Sequence, residues 1–587
     1  MLERYIPALG WLRRYKREDL PGDLIASVIV TIMLIPQSFA YALLANLPPE
    51  VGLYASVLPL VGYALFGSSR TLAVGPVAVV SLMTATAISG IAQPGTPEHW
   101  SAAIVLALMS GLLLVAMGLV RLGFIANFLS HPVISGFITG SAVLIAASQL
   151  KHILGVRTEG ETLYDIVVSL AGELGRLNLA TTVIGVAALA FLFWVRSSLG
   201  GVLRRFGMPA SRADITVRAA PVIAVVVGIA VVAMWQLDQT AGVKIVGDIP
   251  AGLPPVTMPT FDPALWAELF PAALAITIVG LVESISVAQS LAAKRRQKID
   301  PDQELRGLGA ANIAAAFTGG YPVTGGFARS VVNFAAGANT QLASILTAVL
   351  IAVTALFFAP AFYYLPNAIL AATIIVAVLG LVDINTARRI WSYNKADGVA
   401  LAATAISVLV IGVEAAIAIG VALSIGLYLL RTSRPHIAVV GQVPGTEHYR
   451  NVERHQVITS PKLLAVRVDE SLYFANARNL EDRLLASVAE RPEVRDVVLI
   501  LSAVNFIDAS ALESLEHLIE RLRDAGVTLH LAEVKGPVMD RLEPSGLLHH
   551  LTGQVFLSTH QAVEALSNGA GAREPRASVD VINHRGK

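Results

Sequence analysis

Hydrophobic residues occur in long runs over most of the chain, and polar residues are confined to the short segments between these runs. A helix needs roughly 20 apolar residues to cross a bilayer. Runs close to that length with almost no charge lie at 24–44, 51–66, 101–120, 179–195, 219–235, 268–291, 340–359, 365–381 and 397–430. Four further runs, at 72–90, 123–150, 308–320 and 327–338, are broken by glycine and proline. Because 397–430 is long enough for two helices that meet near Glu414, the pattern predicts about fourteen membrane spans.

Charged residues between the runs predict the orientation of the chain. Lysine and arginine collect in alternate loops, at 4–17, 70, 121, 196–218, 294–298, 388–395 and 431–434. The other loops hold few bases or none, except for 151–157. By the positive-inside rule, we expect both termini in the cytoplasm and an even number of spans. The chain is then a multi-pass protein of the inner (plasma) membrane, with a cytoplasmic segment at 1–20 and a part at 21–431 that spans the lipid bilayer.

The sequence changes character after Arg431. From 462 to 567, apolar stretches of strand length alternate with amphipathic helical patterns, as in KLLAVRV followed by NARNLEDRLLASVAE. This alternation predicts a small soluble α/β domain, joined to the membrane part by a linker at 432–461. Residues 568–587 are polar and are expected to be disordered.

Composition excludes several classes of function. The 587 residues are 55% hydrophobic and only 14% charged, and none is cysteine, so a disulfide, a thiolate metal site and a cysteine nucleophile are excluded. Walker A, GxSxG and HExxH motifs do not occur, and no basic stripe with aromatic residues indicates a nucleic-acid partner. We expect a protein that is not an enzyme and needs no cofactor or metal, and whose energy for transport comes from an ion gradient.

Two broken runs occupy equivalent places in the two halves of the membrane part. Pro76 lies about 55 residues after the first run begins near Pro21, and Pro322 lies about 54 residues after the eighth begins near Glu268. Equal offsets of broken helices predict an inverted repeat, here about 21–236 and 265–431, with a site near the membrane centre. A helix that begins there directs free N–H groups and its positive dipole end at the site, which favours an anion.

Arg329 is the one cation in the second broken run, FTGGYPVTGGFARSVVN. An ionisable residue inside a membrane is costly unless it has a partner or a function. We interpret Arg329 as an anion-binding residue in the first turn of the second half-helix, with Ser330 as a further donor. The alternative is a structural arginine that joins two helices.

Glu283, in ITIVGLVESISVAQS, is the acid that we expect to couple transport to a cation. It lies about halfway along the eighth run among small residues, so its carboxyl group is expected to face protein or water. Because burial favours the neutral form of a carboxyl group, a proton is the expected coupling ion and sodium is the other candidate. The alternative is a structural partner for Arg329 or for backbone amides.

Two long stretches carry a resemblance to a known family. IPQSFAYALLANLPPEVGLYASVLPLVGYALFGSSRTLAVGPVAVVSL and QELRGLGAANIAAAFTGGYPVTGGFARSVVNFAAGANTQLASI resemble the SulP family of anion transporters, which includes the SLC26 group, over about residues 5–566. The soluble region, with NFIDASALESLE, resembles the STAS domain that ends such proteins. The resemblance implies a polytopic α-helical fold of fourteen helices in two inverted repeats of seven. It further implies a core and a gate domain, and a homodimer.

The resemblance also implies roles for individual residues. The positions that match the family's anion pocket are Gln37 and Tyr41 on the first helix, Val77 and Ala78 at the first half-helix, and Ala328, Arg329 and Ser330 at the second. Ala328 departs from the family, since several relatives have serine there. Glu283 matches the acidic position used for cation coupling, and glutamate in place of aspartate favours protons.

Ser510 matches the phosphorylatable serine of domains similar to STAS. It and Asp508 are also common helix N-cap residues, and a capping role is the interpretation that we prefer to a regulatory phosphosite. The resemblance further implies a cytoplasmic partner for this domain.

Together these features predict a secondary active transporter of small inorganic anions. Our leading hypothesis is sulfate uptake with protons, through an elevator-like movement of the core against the gate. Bicarbonate with sodium and a C4-dicarboxylate with protons are alternatives within the transporter class. A passive anion channel and a membrane-tethered STAS signalling protein are alternatives of other classes. A carrier needs a coupling group such as Glu283, whereas a channel does not.

Overall fold

The structure is a computed structural model. It describes residues 2–567, apart from 129, 159, 161, 210–212, 214, 215, 218, 219 and 251. The chain divides between residues 424 and 425 into two compact units. The disorder predicted for 568–587 lies outside the described residues.

The first unit is almost entirely helical. Its helices, numbered in chain order, are α1 (Leu2–Tyr5), α2 (Pro7–Arg13), α3 (Leu20–Leu44), α4 (Pro49–Tyr54), α5 (Leu58–Phe66), α6 (Ala78–Ser89), α7 (Pro97–Leu119), α8 (His131–Leu154), α9 (Leu163–Glu173), α10 (Leu179–Trp194), α11 (Gly200–Arg205), α12 (Pro221–Trp235), α13 (Leu237–Thr240), α14 (Pro263–Lys294), α15 (Pro301–Phe317), α16 (Phe327–Ala335), α17 (Leu342–Phe357), α18 (Asn367–Leu379), α19 (Ile384–Tyr393), α20 (Lys395–Val410) and α21 (Val413–Ser433). Two short strands interrupt them, β1 (Val74–Gly75) and β2 (Thr324–Gly325). Helix α21 continues into the second unit.

The helices confirm the predicted number of spans. Seven segments are long and apolar enough to cross a membrane, and α6, α12, α17 and the 418–433 part of α21 are shorter apolar helices. With α15, α16 and α20, the described residues contain fourteen spanning segments, seven in each half. The eighth span begins at Pro263 and not near Glu268, because the Asp262 side chain accepts a hydrogen bond from Ala264 N at 3.0 Å and caps the helix there.

The spanning helices pack in two groups. Helices α3 to α7 and α14 to α17 pack against one another as the core domain, and α8, α10, α12, α18 and α20 form the gate domain. In the core, α7 and α15 approach closely at two glycines. A Cβ atom on Gly111 would lie 3.0 Å from Gly309 O, and one on Gly309 would lie 2.8 Å from Gly111 O. Small residues allow such contacts, on which helix association depends in lipid.

The two repeats meet at a pair of antiparallel strands inside the core. Val74 pairs with Gly325, and Gly75 pairs with Thr324. Each strand is followed closely by a short helix, α6 with 12 residues and α16 with 9 residues. The predicted half-helices are therefore present, and the strand pairing explains why they begin side by side.

The second unit contains a six-stranded sheet with the order β4-β3-β5-β6-β7-β8. Its elements are β3 (Ile437–Gln442), β4 (Tyr449–Asn451), β5 (Leu463–Val468), α22 (Ala477–Ala489), β6 (Asp496–Ile500), α23 (Ala509–Asp524), β7 (Thr528–Ala532), α24 (Gly536–Ser545), α25 (Leu547–His550), β8 (Val555–Phe556) and α26 (Thr559–Ser567). Strands β5 to β8 are parallel, as expected when helices connect successive strands. The predicted α/β domain is confirmed.

The sheet extends into the segment predicted to be a linker. Strands β3 and β4 both lie within 432–461, and β3 pairs antiparallel with β5. Side chains on both faces of β3 pack against apolar clusters, so its sequence is a short continuous apolar run. The hydrophobic pattern of such a run fits a buried strand and the end of a helix equally well. The sequence analysis did not predict β3 for this reason. The sheet begins at Ile437 and not at 462.

Candidate functional site

Polar side chains of two core helices hold β2 in place ahead of α16. On α14, Ser284 Oγ accepts a hydrogen bond from Gly325 N at 2.9 Å and lies 2.7 Å from Thr324 Oγ1. On α15, Asn312 Oδ1 accepts from Val323 N and its Nδ2 donates to Val323 O, both at 2.9 Å. Irregular backbone within a membrane needs such partners, because lipid supplies none.

Arg329 lies where the two half-helices begin. Its side chain is buried, and Nη1 donates a hydrogen bond to the carbonyl oxygen of Pro76, which follows β1. Among the described residues, its Nε and Nη2 have no hydrogen-bond partner although both atoms are buried. An unpaired buried donor costs about 1–3 kcal/mol. One edge of the guanidinium is therefore available to an acceptor that the protein itself does not provide.

Two glycines keep side-chain atoms away from that edge. A Cβ atom on Gly326 would lie 3.0 Å from Nη2 of Arg329 and 3.3 Å from its Nε. A Cβ atom on Gly75 would lie 3.4 Å from Nη2. Glycine at both positions thus leaves the two unpaired nitrogens without a side chain packed against them.

The N-termini of α6 and α16 add to the positive potential at this junction. Their N-cap residues, Val77 and Gly326, provide no side-chain hydrogen bond to the helix. The first N–H groups of a helix lack partners within it, and its N-terminus carries about half a positive charge. Two such ends and Arg329 make the junction suited to an anion.

Ser330 does not provide the free donor that the sequence led us to expect. Its Oγ donates to Gly326 O at 2.7 Å and accepts from Ala73 N at 2.9 Å. The hydroxyl group therefore fastens α16 to the residue that precedes β1. Ser330 lies in the second half-helix, as predicted, but its hydroxyl proton is already donated to Gly326 O.

The remaining predicted pocket residues differ in their exposure. Val77 and Ala78 are buried at the start of α6, whereas Ala328 is exposed. Gln37 and Tyr41 line a cavity of about 130 Å³ between α3 of the core and helices α10, α12 and α18 of the gate. Helix α3, which carries both residues, packs against α6 and α16, so this cavity lies beside the helices that form the junction.

Glu283 faces a second cavity, of about 430 Å³. Core helices α6, α14 and α16 line it together with gate helix α8. Within the described residues, the carboxylate forms neither a hydrogen bond nor a direct ion pair with Arg329, although the charge of Arg329 acts on it. The structural pairing considered as an alternative is therefore not formed. A carboxylate that lines a cavity is accessible to a proton or another cation.

Glu304 is a buried acid whose importance the sequence pattern did not reveal. Its carboxylate accepts hydrogen bonds from Tyr63 Oη at 2.6 Å, Ser68 N at 2.8 Å, Ser68 Oγ at 2.7 Å and Ser69 N at 2.8 Å. These bonds fix the segment that leads into β1. In the sequence, the available signal for this role was an acidic residue just before the apolar run at 308–320. In the structure this residue lies in the first turn of α15.

Asp23 plays a similar part near the start of α3. Its carboxylate accepts from Asn339 N at 2.7 Å, Thr340 N at 3.0 Å and Thr340 Oγ1 at 2.6 Å. It thereby joins the first span to the connection between α16 and α17. The sequence pattern did not single out this residue, because it lies just before the charge-free run at 24–44.

In the second unit, Asp508 and not Ser510 caps α23. Asp508 Oδ1 accepts from Ala511 N at 2.8 Å, and its Oδ2 accepts from Phe474 N at 2.9 Å. Ser510 is the exposed second residue of the helix. The capping interpretation is wrong for Ser510, whose side chain remains accessible to modification.

The fold and the junction together define the class of protein. It is a polytopic membrane protein of two inverted repeats, whose half-helices meet at a buried arginine, followed by an α/β domain. The chain belongs to the sulfate permease family, whose sequence profile matches residues 20–404. The STAS domain profile matches residues 449–562. The resemblance noted in the sequence is confirmed.

Named relatives are similar over almost the whole chain. Sulfate transporter 4.1, chloroplastic, of Arabidopsis thaliana is 36% identical over 579 residues, which are 96% of this chain and 82% of that protein. Sulfate transporter 1.1 of the same organism is 35% identical over 586 residues, which are 96% of this chain and 89% of that protein.

Solved structures share the fold at lower identity. Murine Solute Carrier 26 family member A9, an anion transporter in the inward-facing state, matches with a TM-score of 0.86 at 24% identity, over 96% of this chain and 94% of that one. The transmembrane domain of the cyanobacterium bicarbonate transporter BicA matches with a TM-score of 0.59 at 20% identity, over 69% of this chain and 98% of that one. At these identities the likeness concerns the fold.

Proposed function

We propose that this chain is a secondary active transporter that takes up sulfate together with protons. The observation that carries the proposal is the unpaired edge of Arg329, whose Nε and Nη2 are buried at the junction of α6 and α16. A buried cation with two unused donors, placed between two helix N-termini, favours an anion on grounds of both charge and hydrogen bonding.

The shape of the unpaired edge favours an oxyanion. Nε–H and one N–H of Nη2 are parallel donors on one side of the planar guanidinium, and such a pair binds two oxygens of one anion. A spherical halide accepts from both donors less well, because it has a single centre. Among oxyanions we propose sulfate, because the relatives that are 35% and 36% identical over 96% of the chain bear the name sulfate transporter.

Glu283 is the group that we assign to proton coupling. Its carboxylate lines the 430 Å³ cavity and lies within the electrostatic influence of Arg329. A bound divalent anion near Arg329 makes the neutral carboxyl form more favourable, because it adds negative charge nearby. Binding of sulfate and of a proton would then reinforce each other, as symport requires.

Movement of the core against the gate is the proposed means of transport. Both cavities lie between core and gate helices, so relative movement of the two groups changes access to the junction.

The proposal also covers assembly and location. It includes a homodimer in the plasma membrane with cytoplasmic termini, a cytoplasmic partner for the STAS domain, and no catalytic role.

The test is uptake of radiolabelled sulfate into proteoliposomes under an inward proton gradient. Wild type should accumulate sulfate, and a proton ionophore should abolish the accumulation. Glu283→Gln should lose gradient-driven accumulation yet still exchange external for internal sulfate, because the anion site is intact. Glu98→Gln, at an exposed glutamate near the start of α7, is the matched control and should behave as wild type.

Other outcomes would contradict specific parts of the proposal. Accumulation driven by sodium would reject the proton, and uptake of bicarbonate or a dicarboxylate in place of sulfate would reject the substrate. Flux that no gradient drives would indicate a channel. Normal proton-driven accumulation by Glu283→Gln would reject the assigned coupling group.

A further inference from the structure

Arg196 is the first base of the segment 196–218, and the structure places it at the end of a membrane helix. It lies in a single π-helical turn, Val195–Leu199, between α10 and α11. Such turns occur frequently at functional sites. Because α10 is the sixth span, the turn lies on the membrane face that carries the N-terminus, which we name the N-terminal face.

Two contacts with the end of α18 fix the position of the Arg196 guanidinium. Nη1 donates a hydrogen bond of 2.6 Å to the carbonyl oxygen of Val376. A Cβ atom on Gly380 would overlap both Nη1 and Nη2, so the guanidinium lies directly against the backbone there. The backbone of Gly380 (φ −72°, ψ −12°) suits any residue, so the close approach of Arg196 is what requires glycine.

The charge of Arg196 is not neutralised by these contacts. Its hydrogen-bond partner is a carbonyl oxygen, and within the part of the chain that the structure describes it forms no ion pair with an acid. A guanidinium keeps its proton at any physiological pH. Arg196 therefore carries a full positive charge at the edge of the gate.

The 130 Å³ cavity brings this charge to two residues of the core. Gln37 and Tyr41 line the cavity together with Arg196, which is the sole charged residue among its described lining residues. Neither the Gln37 amide nor the Tyr41 hydroxyl forms a hydrogen bond within the described chain. The other walls are mostly apolar. One cation and two unused polar groups thus share a cavity of low polarity.

Core and gate contribute differently to this cavity. Gln37 and Tyr41 lie on α3 of the core, as the Arg329 site does, whereas Arg196 and its partner Val376 belong to the gate. If the core carries the anion against the gate, Gln37 and Tyr41 move with it and Arg196 does not. Arg196 then acts on the anion only while the cavity is formed as it is here.

We infer that Arg196 is an anion-attracting residue of the gate, which draws an oxyanion into the core–gate cavity from the N-terminal face. The inference rests on the proposed function, since it assigns Arg196 to the substrate of the Arg329 site. A charge in a cleft with low-dielectric walls raises the local concentration of ions of opposite sign. The energy scales with ionic charge, so a divalent oxyanion is attracted more strongly than a monovalent one.

The test is exchange of radiolabelled sulfate in sealed membrane vesicles of both orientations, with a tag at the N-terminus to report which face is outside. Arg196→Gln should raise the half-saturating sulfate concentration at the N-terminal face by roughly threefold to tenfold at low ionic strength. At the opposite face the change should stay below about twofold. At about 0.5 M salt the difference at the N-terminal face should also shrink below about twofold, because Arg196 is exposed and salt screens its charge.

Two further variants separate the charge from other effects. Arg196→Lys keeps the charge and should stay within about twofold of wild type at low ionic strength. Arg205→Gln removes an exposed base at the end of α11, on the same face, and is the control that should leave the half-saturating concentration unchanged.

A purely structural role, in which Arg196 only caps the C-terminus of α18, predicts a different result. Arg196→Gln would then lower the thermal midpoint or change exchange equally from both faces, and salt would not correct the change. Either result, an unchanged value at the N-terminal face, an equal rise in Arg205→Gln, or a rise in Arg196→Lys as large as in Arg196→Gln would overturn the inference. If wild type exchanges no sulfate, the proposed substrate fails, and the same comparison made with the anion that wild type does exchange decides the inference.

Discussion

Arg329 on α16 donates a hydrogen bond to the carbonyl oxygen of Pro76, the first of the two residues between β1 and α6 in the other repeat. The bond joins the two half-helices across the core. It uses one side of the guanidinium and leaves Nε and Nη2 unpaired. The two roles weighed for this residue, structural and anion-binding, are therefore compatible, because they fall on different edges of one side chain.

Gly326→Ala should weaken sulfate transport while the positive charge remains in place. The backbone of Gly326 (φ −82°, ψ 129°) suits alanine, but the added Cβ would lie 3.0 Å from Nη2 of Arg329. Because the added Cβ would lie against the unpaired edge, we expect the KM for sulfate to rise by about tenfold or more, which corresponds to about 1.4 kcal/mol.

The matched control for this steric prediction is Gly90→Ala, at the end of α6. No heavy atom lies within 4 Å of a Cβ built there, so the KM should be that of wild type. A wild-type KM in Gly326→Ala would show that the unpaired edge is not where the anion binds.

Glu304→Ala should destabilise the whole core. The substitution leaves Ser68 N and Ser69 N without their acceptor and Tyr63 Oη without its partner, all in a buried place. Each buried donor that is left without an acceptor costs about 1–3 kcal/mol. Thermal unfolding in detergent should show a clearly lower midpoint for Glu304→Ala than for Glu98→Ala at an exposed site. Equal midpoints would mean that these bonds do not stabilise the core.

The STAS domain should become less stable at acidic pH because of His530, which lies on β7. His530 is buried, its Nδ1 accepts from Gln554 N at 3.0 Å, and its Nε2 lies 3.3 Å from Asp496 Oδ1. Burial holds the pKa of His530 below its usual range, although Asp496 opposes the shift. The folded domain thus favours the neutral imidazole of His530. The contribution of this preference to the stability of the domain is complete above the pKa of histidine in the unfolded chain, which is about 6.5. As pH falls below that value towards the folded pKa, the unfolded chain takes up the proton first and stability is lost.

Hydrogen exchange of the full chain measures this effect. After correction for intrinsic rates, the amides of β7 and β8 should be less protected at about pH 5.5 than at about pH 7.5, and His530→Gln should reduce the difference. Equal protection at both pH values in wild type would refute the assignment to His530.

Asp508→Ala should weaken α23, whereas Ser510→Ala should not. The Asp508 side chain accepts from Ala511 N and Phe474 N, and loss of an N-cap costs about 1 kcal/mol. Ser510 is exposed in the first turn, so its removal should change the unfolding free energy by less than about 0.5 kcal/mol. Chemical denaturation of the two variants compares them directly, and the reverse order would restore Ser510 as the cap.

The architecture was predictable because its signals are local in the sequence. Charge-free runs gave the spans, and the glycines and prolines around Pro76 and Pro322 gave the two half-helices. Arg329 stood out because a charge in such a run is costly. Each inference needed only the composition of a short segment.

Other features depend on contacts between distant segments and could not be predicted in the same way. Glu304 binds Ser68 and Ser69, and Ser330 binds Ala73, through pairings that only the folded core brings together. The hydroxyl of Ser330, which is already bonded, was missed for this reason, whereas β3 was missed because a short continuous apolar run occurs in both strands and helices. The unpaired edge of Arg329 could not be predicted either, because Pro76 in the other repeat accepts the hydrogen bond from Nη1 and so decides which nitrogens stay unpaired.

Direct binding of radiolabelled sulfate to the purified protein tests the central claim most directly. Wild type should bind sulfate saturably, and Arg329→Gln should lower the affinity by about tenfold to a hundredfold, since hydrogen bonds to charged groups contribute about 1.5–3 kcal/mol. Arg329→Lys should recover only part of the loss, because an ammonium group lacks the parallel donors. Wild-type affinity in a correctly folded Arg329→Gln protein would contradict the assignment of the anion site to this arginine.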